Sequence, residues 1–288
     1  MFIRRPLAEH TQSLRIEGNV KTRKRKLKNY QILTVPLLCE IQEKCPNLKE
    51  LHVVDADISN ISLAQLPTQL TFLGLRGSLI SFDFLHSFND ADVLPNLTGI
   101  DLSYCHNLSS YSKSVAGLFA KTSLTVLSLK HCFKVSGGHL CELPSRLQQL
   151  QVLNVSDAAN VTNELFYHLA EHCHSLTDLD VSFCTAVTDK GVEYMLPLAG
   201  HLCKLNLAGT RVTDQCLLHL QQFLAFKWLS LVKTKCTREG VAQFLARMPH
   251  CRVDYKYSEA SEPVGDTFWW IPVETESADA TEPATADN

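Results

Sequence analysis

Apolar residues recur along the chain in a hexad whose first, fourth and sixth positions are apolar. It stands at Leu48-Leu51-Val53, Leu70-Leu73-Leu75, Leu97-Ile100-Leu102, Leu124-Leu127-Leu129, Leu150-Leu153-Val155, Leu176-Leu179-Val181 and Leu202-Leu205-Leu207, and more loosely at Phe226-Leu229-Leu231. The middle residues follow one another at steps of 22, 27, 27, 26, 26, 26 and 24. Within each hexad the apolar and polar positions alternate as in a short strand with one buried face. Past each strand a second pattern takes over. Val187-Thr188-Asp189, Val161-Thr162-Asn163 and Val212-Thr213-Asp214 place a helix N-cap before apolar residues at helical spacing, such as Val192, Met195 and Leu196.

A period in the twenties with this pattern is the signature of leucine-rich repeats. The expected fold is α/β, a solenoid with a parallel concave sheet and convex helices. One coil cannot bury its own apolar side, so the coils must stack and share a core. Leu14-Arg15-Ile16 reads as a degenerate first strand. The expected organisation is a degenerate first repeat with a basic loop over 1–30, the solenoid over 31–257, and an acidic, mostly disordered tail over 258–288. Five residues after the middle of a hexad stand Cys105, Cys132 and Cys184. Ala56, Ser78, Ala158, Thr210 and Thr234 fill the same slot elsewhere. A small, weakly polar side chain there is expected to turn inward and meet loop backbone.

Composition changes this picture only at the ends. Net charge is −3, yet no basic residue follows Lys256 and eight acidic ones do. The tail is too polar to fold on its own, apart from Phe268-Trp269-Trp270-Ile271, which is costly to leave in water. That segment is expected to cap the last coil, dock on the concave face or meet a partner, with self-docking favoured. Six of the eight residues from Lys21 to Lys28 are basic. They read as a nuclear signal or nucleic-acid patch, or as a solvated loop, and without interleaved aromatics the loop is favoured. Eleven cysteines, an odd number, with no secretory signal point to reduced thiols and a cytoplasmic or nuclear protein. No apolar run is long enough for a membrane span.

Catalytic signatures are lacking: no Cys-x-x-Cys, His-Glu-x-x-His, Gly-x-Ser-x-Gly or phosphate-binding glycine loop occurs. No catalytic residue, metal ligand or cofactor is therefore expected. His172-Cys173-His174 reads as structural because Cys45 holds the same place in its own repeat. Binding of a protein target on the concave face is the expected function. The residues expected to carry it are Asp101, Tyr104, Lys130, His131, Asp178, Asp180, Phe183, Lys204 and Trp228. His52, Phe72 and Arg76 stand in the same columns as these residues. Aromatics beside mixed charge are favoured anchors for protein partners.

Cysteine-bearing repeats of about 26 residues with a Val-Thr-Asp turn, best seen in Cys184-Thr-Ala-Val-Thr-Asp-Lys-Gly191, resemble those of the F-box and leucine-rich-repeat family. Short strings such as Cys45-Pro-Asn-Leu-Lys49, Val93-Leu-Pro95 and Pro249-His-Cys-Arg-Val253 add to the resemblance. It implies the substrate-recognition part of an SCF-type ubiquitin ligase, with Skp1 and a cullin as partners only if an F-box is encoded upstream. Leu33-Thr-Val-Pro-Leu-Leu-Cys-Glu-Ile41 is superficially similar to an F-box opening but reads better as a repeat helix. The chain therefore either begins after the F-box or is an F-box-less relative, acting as a stand-alone binding or inhibitory module.

Overall fold

A computed structural model describes residues 2–3, 7–18, 33–90, 92–111, 117, 120–133 and 135–255. The basic run 21–28 and residues 256–288, with Phe268, Trp269, Trp270 and Ile271, lie outside the described residues. Among the described residues eleven strands form one sheet in chain order: β1 Phe2–Ile3, β2 Ser13–Glu17, β3 Glu50–Val54, β4 Phe72–Gly74, β5 Gly99–Asp101, β6 Val126–Ser128, β7 Val152–Asn154, β8 Asp178–Asp180, β9 Lys204–Asn206, β10 Trp228–Ser230 and β11 Arg252–Asp254. β1 runs antiparallel to β2, and β2 through β11 are parallel. The register puts Leu14, Leu51, Leu73, Ile100, Leu127, Leu153, Leu179, Leu205, Leu229 and Val253 in one line, so the middle residues of the hexads form a single ladder. From Leu51 to Leu229 these side chains are all fully buried, in one continuous core. The fold is an α/β leucine-rich-repeat solenoid.

Seven α-helices occur among the described residues: α1 Val35–Lys44, α2 Phe82–His86, α3 Gly137–Arg146, α4 Asn163–His172, α5 Asp189–Tyr194, α6 Asp214–Leu220 and α7 Arg238–Arg247. The stretch with an F-box-like opening is α1, capped by Thr34 and started by Pro36. Strands in a ladder lie about 4.8 Å apart and packed helices about 8–10 Å, so the stack curves toward its strands. One coil departs from the expected strand–loop–helix plan. The 22-residue step between Leu51 and Leu73 leaves room only for a 3-10 turn, Leu63–Gln65, closed by a capping box between Ser62 and Gln65. A second departure concerns Leu196. α5 ends at Tyr194 because Pro197 cannot continue it, and a 3-10 turn over Leu196–Leu198 follows. Leu198 rather than Leu196 then completes the buried set with Val192 and Met195.

Two devices tie neighbouring coils together at several junctions. The first is the cysteine slot. Cys105 Sγ donates to the Leu75 carbonyl at 3.1 Å, Cys132 to Leu102 at 3.2 Å and Cys184 to Val155 at 3.3 Å. Ser78 makes the equivalent bond to Val53 at 3.1 Å. Burial pushes Cys132 and Cys184 up to about 12, so these thiols stay protonated and keep donating. All eleven cysteines are free thiols. Cys173 is buried at the end of α4 with its Sγ 3.5 Å from the Leu147 carbonyl, in keeping with a structural role.

The second device extends the Val-Thr-Asp turn. The residue after each capping threonine reaches into the following coil and holds that coil's cap. Asn163 accepts from the Thr188 N–H at 3.0 Å and donates to its hydroxyl at 2.8 Å. Asp189 accepts from the Thr213 N–H at 2.7 Å, the Thr213 hydroxyl at 2.8 Å and the Cys216 N–H at 3.2 Å. Asp214 binds Thr237 in the same way, at 2.7 and 2.6 Å. Gly240 makes room, since a Cβ there would sit 2.3 Å from the Asp214 carboxylate.

Candidate functional site: a strip at the strand ends

The residue after each middle position points away from the core, and alternation alone would expose it. It does not. Asp101 is 0% and Asp180 4% exposed. Each carboxylate turns back on its own loop: Asp101 Oδ1 accepts from the Ser103 N–H at 2.8 Å and Asp180 Oδ1 from the Ser182 N–H at 2.9 Å. Asn154 and Asn206 do the same for Ser156 and Ala208, at 3.0 and 3.1 Å. This column closes the strand–loop junction, so Asp101 and Asp180 are not offered to a partner. Asp178 is buried too, paired with Lys204 at 2.8 Å across β8 and β9. The Trp228 indole N–H donates to Asp254 at 2.9 Å and the ring is half-buried.

Burial pushes the Asp101 carboxyl above the usual carboxylate range, against the hydrogen bonds from Ser103 and the charge of Arg76. A carboxyl raised on folding contributes stability that is complete below its unfolded pKa and is lost as pH rises through its folded one. Asp101→Asn keeps the Oδ1 acceptor and removes the buried charge. The variant is expected to match the wild type in acid and to exceed it in thermal midpoint at pH 7. Parallel midpoints across that range would refute the assignment.

Four residues after each middle position the backbone turns left-handed. Asp55, Tyr104, His131, Asp157, Phe183 and Lys233 have φ between 52° and 62°, while Gly77 and Gly209 supply the turn in the two remaining repeats. Left-handed φ is strained for residues other than glycine, and here it prolongs the ladder beyond the strands. Tyr104 N–H donates to the Lys130 carbonyl at 2.8 Å, His131 to Ser156 at 2.8 Å and Asp157 to Ser182 at 2.7 Å. The turn also lifts the side chains onto the rim of the concave face.

On that rim Tyr104 stacks on His131 with ring centroids 5.0 Å apart. The Arg76 guanidinium lies 4.8 Å above the Tyr104 ring and Lys130 Nζ 5.6 Å from it. His106 and Phe133 both stand six residues after their middle position and meet His131 edge-on at 5.3 Å. Asp157 bonds His131 Nδ1. Tyr104, Lys130 and His131 thus come together. Phe183 stands apart, separated by Asp157 in the column, 46% exposed and with Lys233 Nζ 5.5 Å from its ring. His106, Phe133 and Asp157 complete the strip without having been singled out by the sequence, and Arg76, read there in the column of Lys130, joins it. His106 and Phe133 share one distance from the middle residue, and Asp157 shares that of Tyr104, His131 and Phe183; this spacing was the available signal.

These features define the class: a leucine-rich-repeat protein with an aromatic and cationic strip along the ends of its strands. A model of the family described as Leucine Rich repeat matches residues 172–196. Among curated proteins the chain is similar to F-box/LRR-repeat protein 12 of Homo sapiens, 32% identical over 165 residues, which make up 56% of this chain and 48% of that protein. The Bos taurus protein of the same name is 29% identical over 283 residues, 94% of this chain and 81% of that one. The chain thus spans about half the length of the human and mouse relatives it matches. An internalin C2 from Listeria monocytogenes is 18% identical with a TM-score of 0.46, covering 68% of this chain and 76% of that one. Among the described residues no helix is long and apolar enough to cross a membrane.

Proposed function

We propose that the chain binds a protein target along the strip from Arg76 to Phe183 and forms the target-recognition part of an SCF-type ubiquitin ligase receptor. The observation that carries the binding role is Tyr104, held between Arg76, Lys130 and His131 on the rim, with Phe133 exposed near it and Phe183 exposed farther along the column. Rings fixed by a ladder lose little freedom on binding, which favours them as anchors. Support for the ligase role is the similarity to F-box/LRR-repeat proteins. A stand-alone binding module is the second reading, favoured by one observation: the F-box-like opening at Leu33–Ile41 is the repeat helix α1.

Affinity capture of the complete transcript product from its own cells separates the two. Recovery of Skp1 and a cullin is expected of a ligase receptor. A complete product that brings down neither overturns that role and leaves the stand-alone module.

A further inference from the structure

The helix side of the stack holds a cluster that the protein-binding role does not use. Cys141 lies on α3, and Glu164 and His168 lie one turn apart on α4 of the next coil. Residues four apart on a helix share a face, and this face turns toward Cys141. The Cys141 sulfur, a Glu164 carboxylate oxygen and a His168 ring nitrogen all lie within 4.8 Å of one another. Cys141 and His168 are half-buried and Glu164 is exposed. No short motif marks the cluster, because its ligands come from two coils.

We propose that Cys141, Glu164 and His168 form a zinc-binding site that clamps two neighbouring coils on their helix side. One thiolate, one imidazole and one carboxylate are a donor set that suits zinc and is poor for magnesium or calcium. Bonds of about 2.0–2.3 Å in a tetrahedron put ligand atoms roughly 3.3–3.8 Å apart, so each side chain needs to move by only about an ångström. Three protein ligands leave the fourth position to water, on the open side next to Glu164. Binding forms the Zn–S bond, breaks the S–H bond and releases that proton to solvent. Zinc affinity should therefore rise with pH.

A second group, His168, Glu171 and His172, shares one ligand with the first. It sits on a single helix, has no thiolate, and its two rings are parallel at 6.5 Å. It is the weaker set for zinc and serves as the control.

Cobalt(II) titration of the full chain after chelation is the test. A thiolate-to-cobalt charge-transfer band is expected with the intact chain, and zinc should bleach it. Cys141→Ser should abolish the band, Glu164→Gln and His168→Gln should weaken affinity at least about tenfold, and His172→Ala should leave it unchanged. Zinc should raise the thermal midpoint of the wild type and not of Cys141→Ser. The site is refuted if no band forms, if the band survives Cys141→Ser, or if His172→Ala removes it.

Discussion

Leu179→Ala is expected to lower the unfolding free energy by about 2–5 kcal/mol, the cost of removing a buried leucine and leaving part of its cavity unfilled. Leu179 is fully buried and takes the middle place in β8, in register with Leu153 and Leu205. Its side chain therefore seals two coil interfaces at once, and neither neighbour can close the gap without disturbing a ladder of its own. In a solenoid each coil is supported only by its neighbours. A loss of this size at the centre should thus reduce cooperativity as well as the midpoint. Denaturant titration followed by circular dichroism reads both. The matched control is Leu224→Ala, at a leucine 82% exposed, where a change within about 0.5 kcal/mol is expected. Equal effects at the two positions would contradict the core assignment.

The second large effect is expected at Asp189. Its carboxylate holds the Thr213 N–H, the Thr213 hydroxyl and the Cys216 N–H. Asp189→Ala removes three bonds and leaves the Thr213 N–H unpaired at the start of α6, where a negative charge is also favoured by the helix dipole, while the Cys216 N–H keeps its bond to the Thr213 carbonyl. Loss of a cap together with an unsatisfied donor costs about 2–3 kcal/mol. Asp189→Asn keeps an acceptor for the Thr213 N–H and should recover part of it, as Asn163 does naturally for Thr188. Hydrogen exchange of the α6 amides gives the local readout. Protection unchanged in Asp189→Ala would show that the contact between coils is not needed.

Strand positions were legible in the sequence because burial of one leucine per coil imposes a period that no loop residue disturbs. The capping threonines were legible for a similar reason, since each precedes an apolar helical pattern. Two features were hidden. Asp101 and Asp180 alternate with core residues and so read as exposed, yet each carboxylate finds a loop N–H two residues on and becomes buried. Alternation reports which side of the sheet a residue leaves, not whether water reaches it. The left-handed slot was hidden because Asp55, Gly77, Tyr104, His131, Asp157, Phe183, Gly209 and Lys233 share no residue type. From Asp55 to Gly209 they share a backbone bond to the following coil, which depends on stacking and not on side-chain chemistry. Tyr104 and His131 were singled out as aromatics, and the turn explains why their rings stand on the rim.

The strip itself is tested most directly by a photo-crosslinking amino acid placed at Phe133 or Phe183 on the rim, and at Tyr167 on the helix side. All three side chains are exposed, at 38%, 46% and 49%. Irradiation in cells should attach one and the same protein at Phe133 and Phe183, and not at Tyr167. Tyr104→Ala in the same chain should diminish that product. Attachment of the partner at Tyr167 with none at the two rim positions would contradict the account.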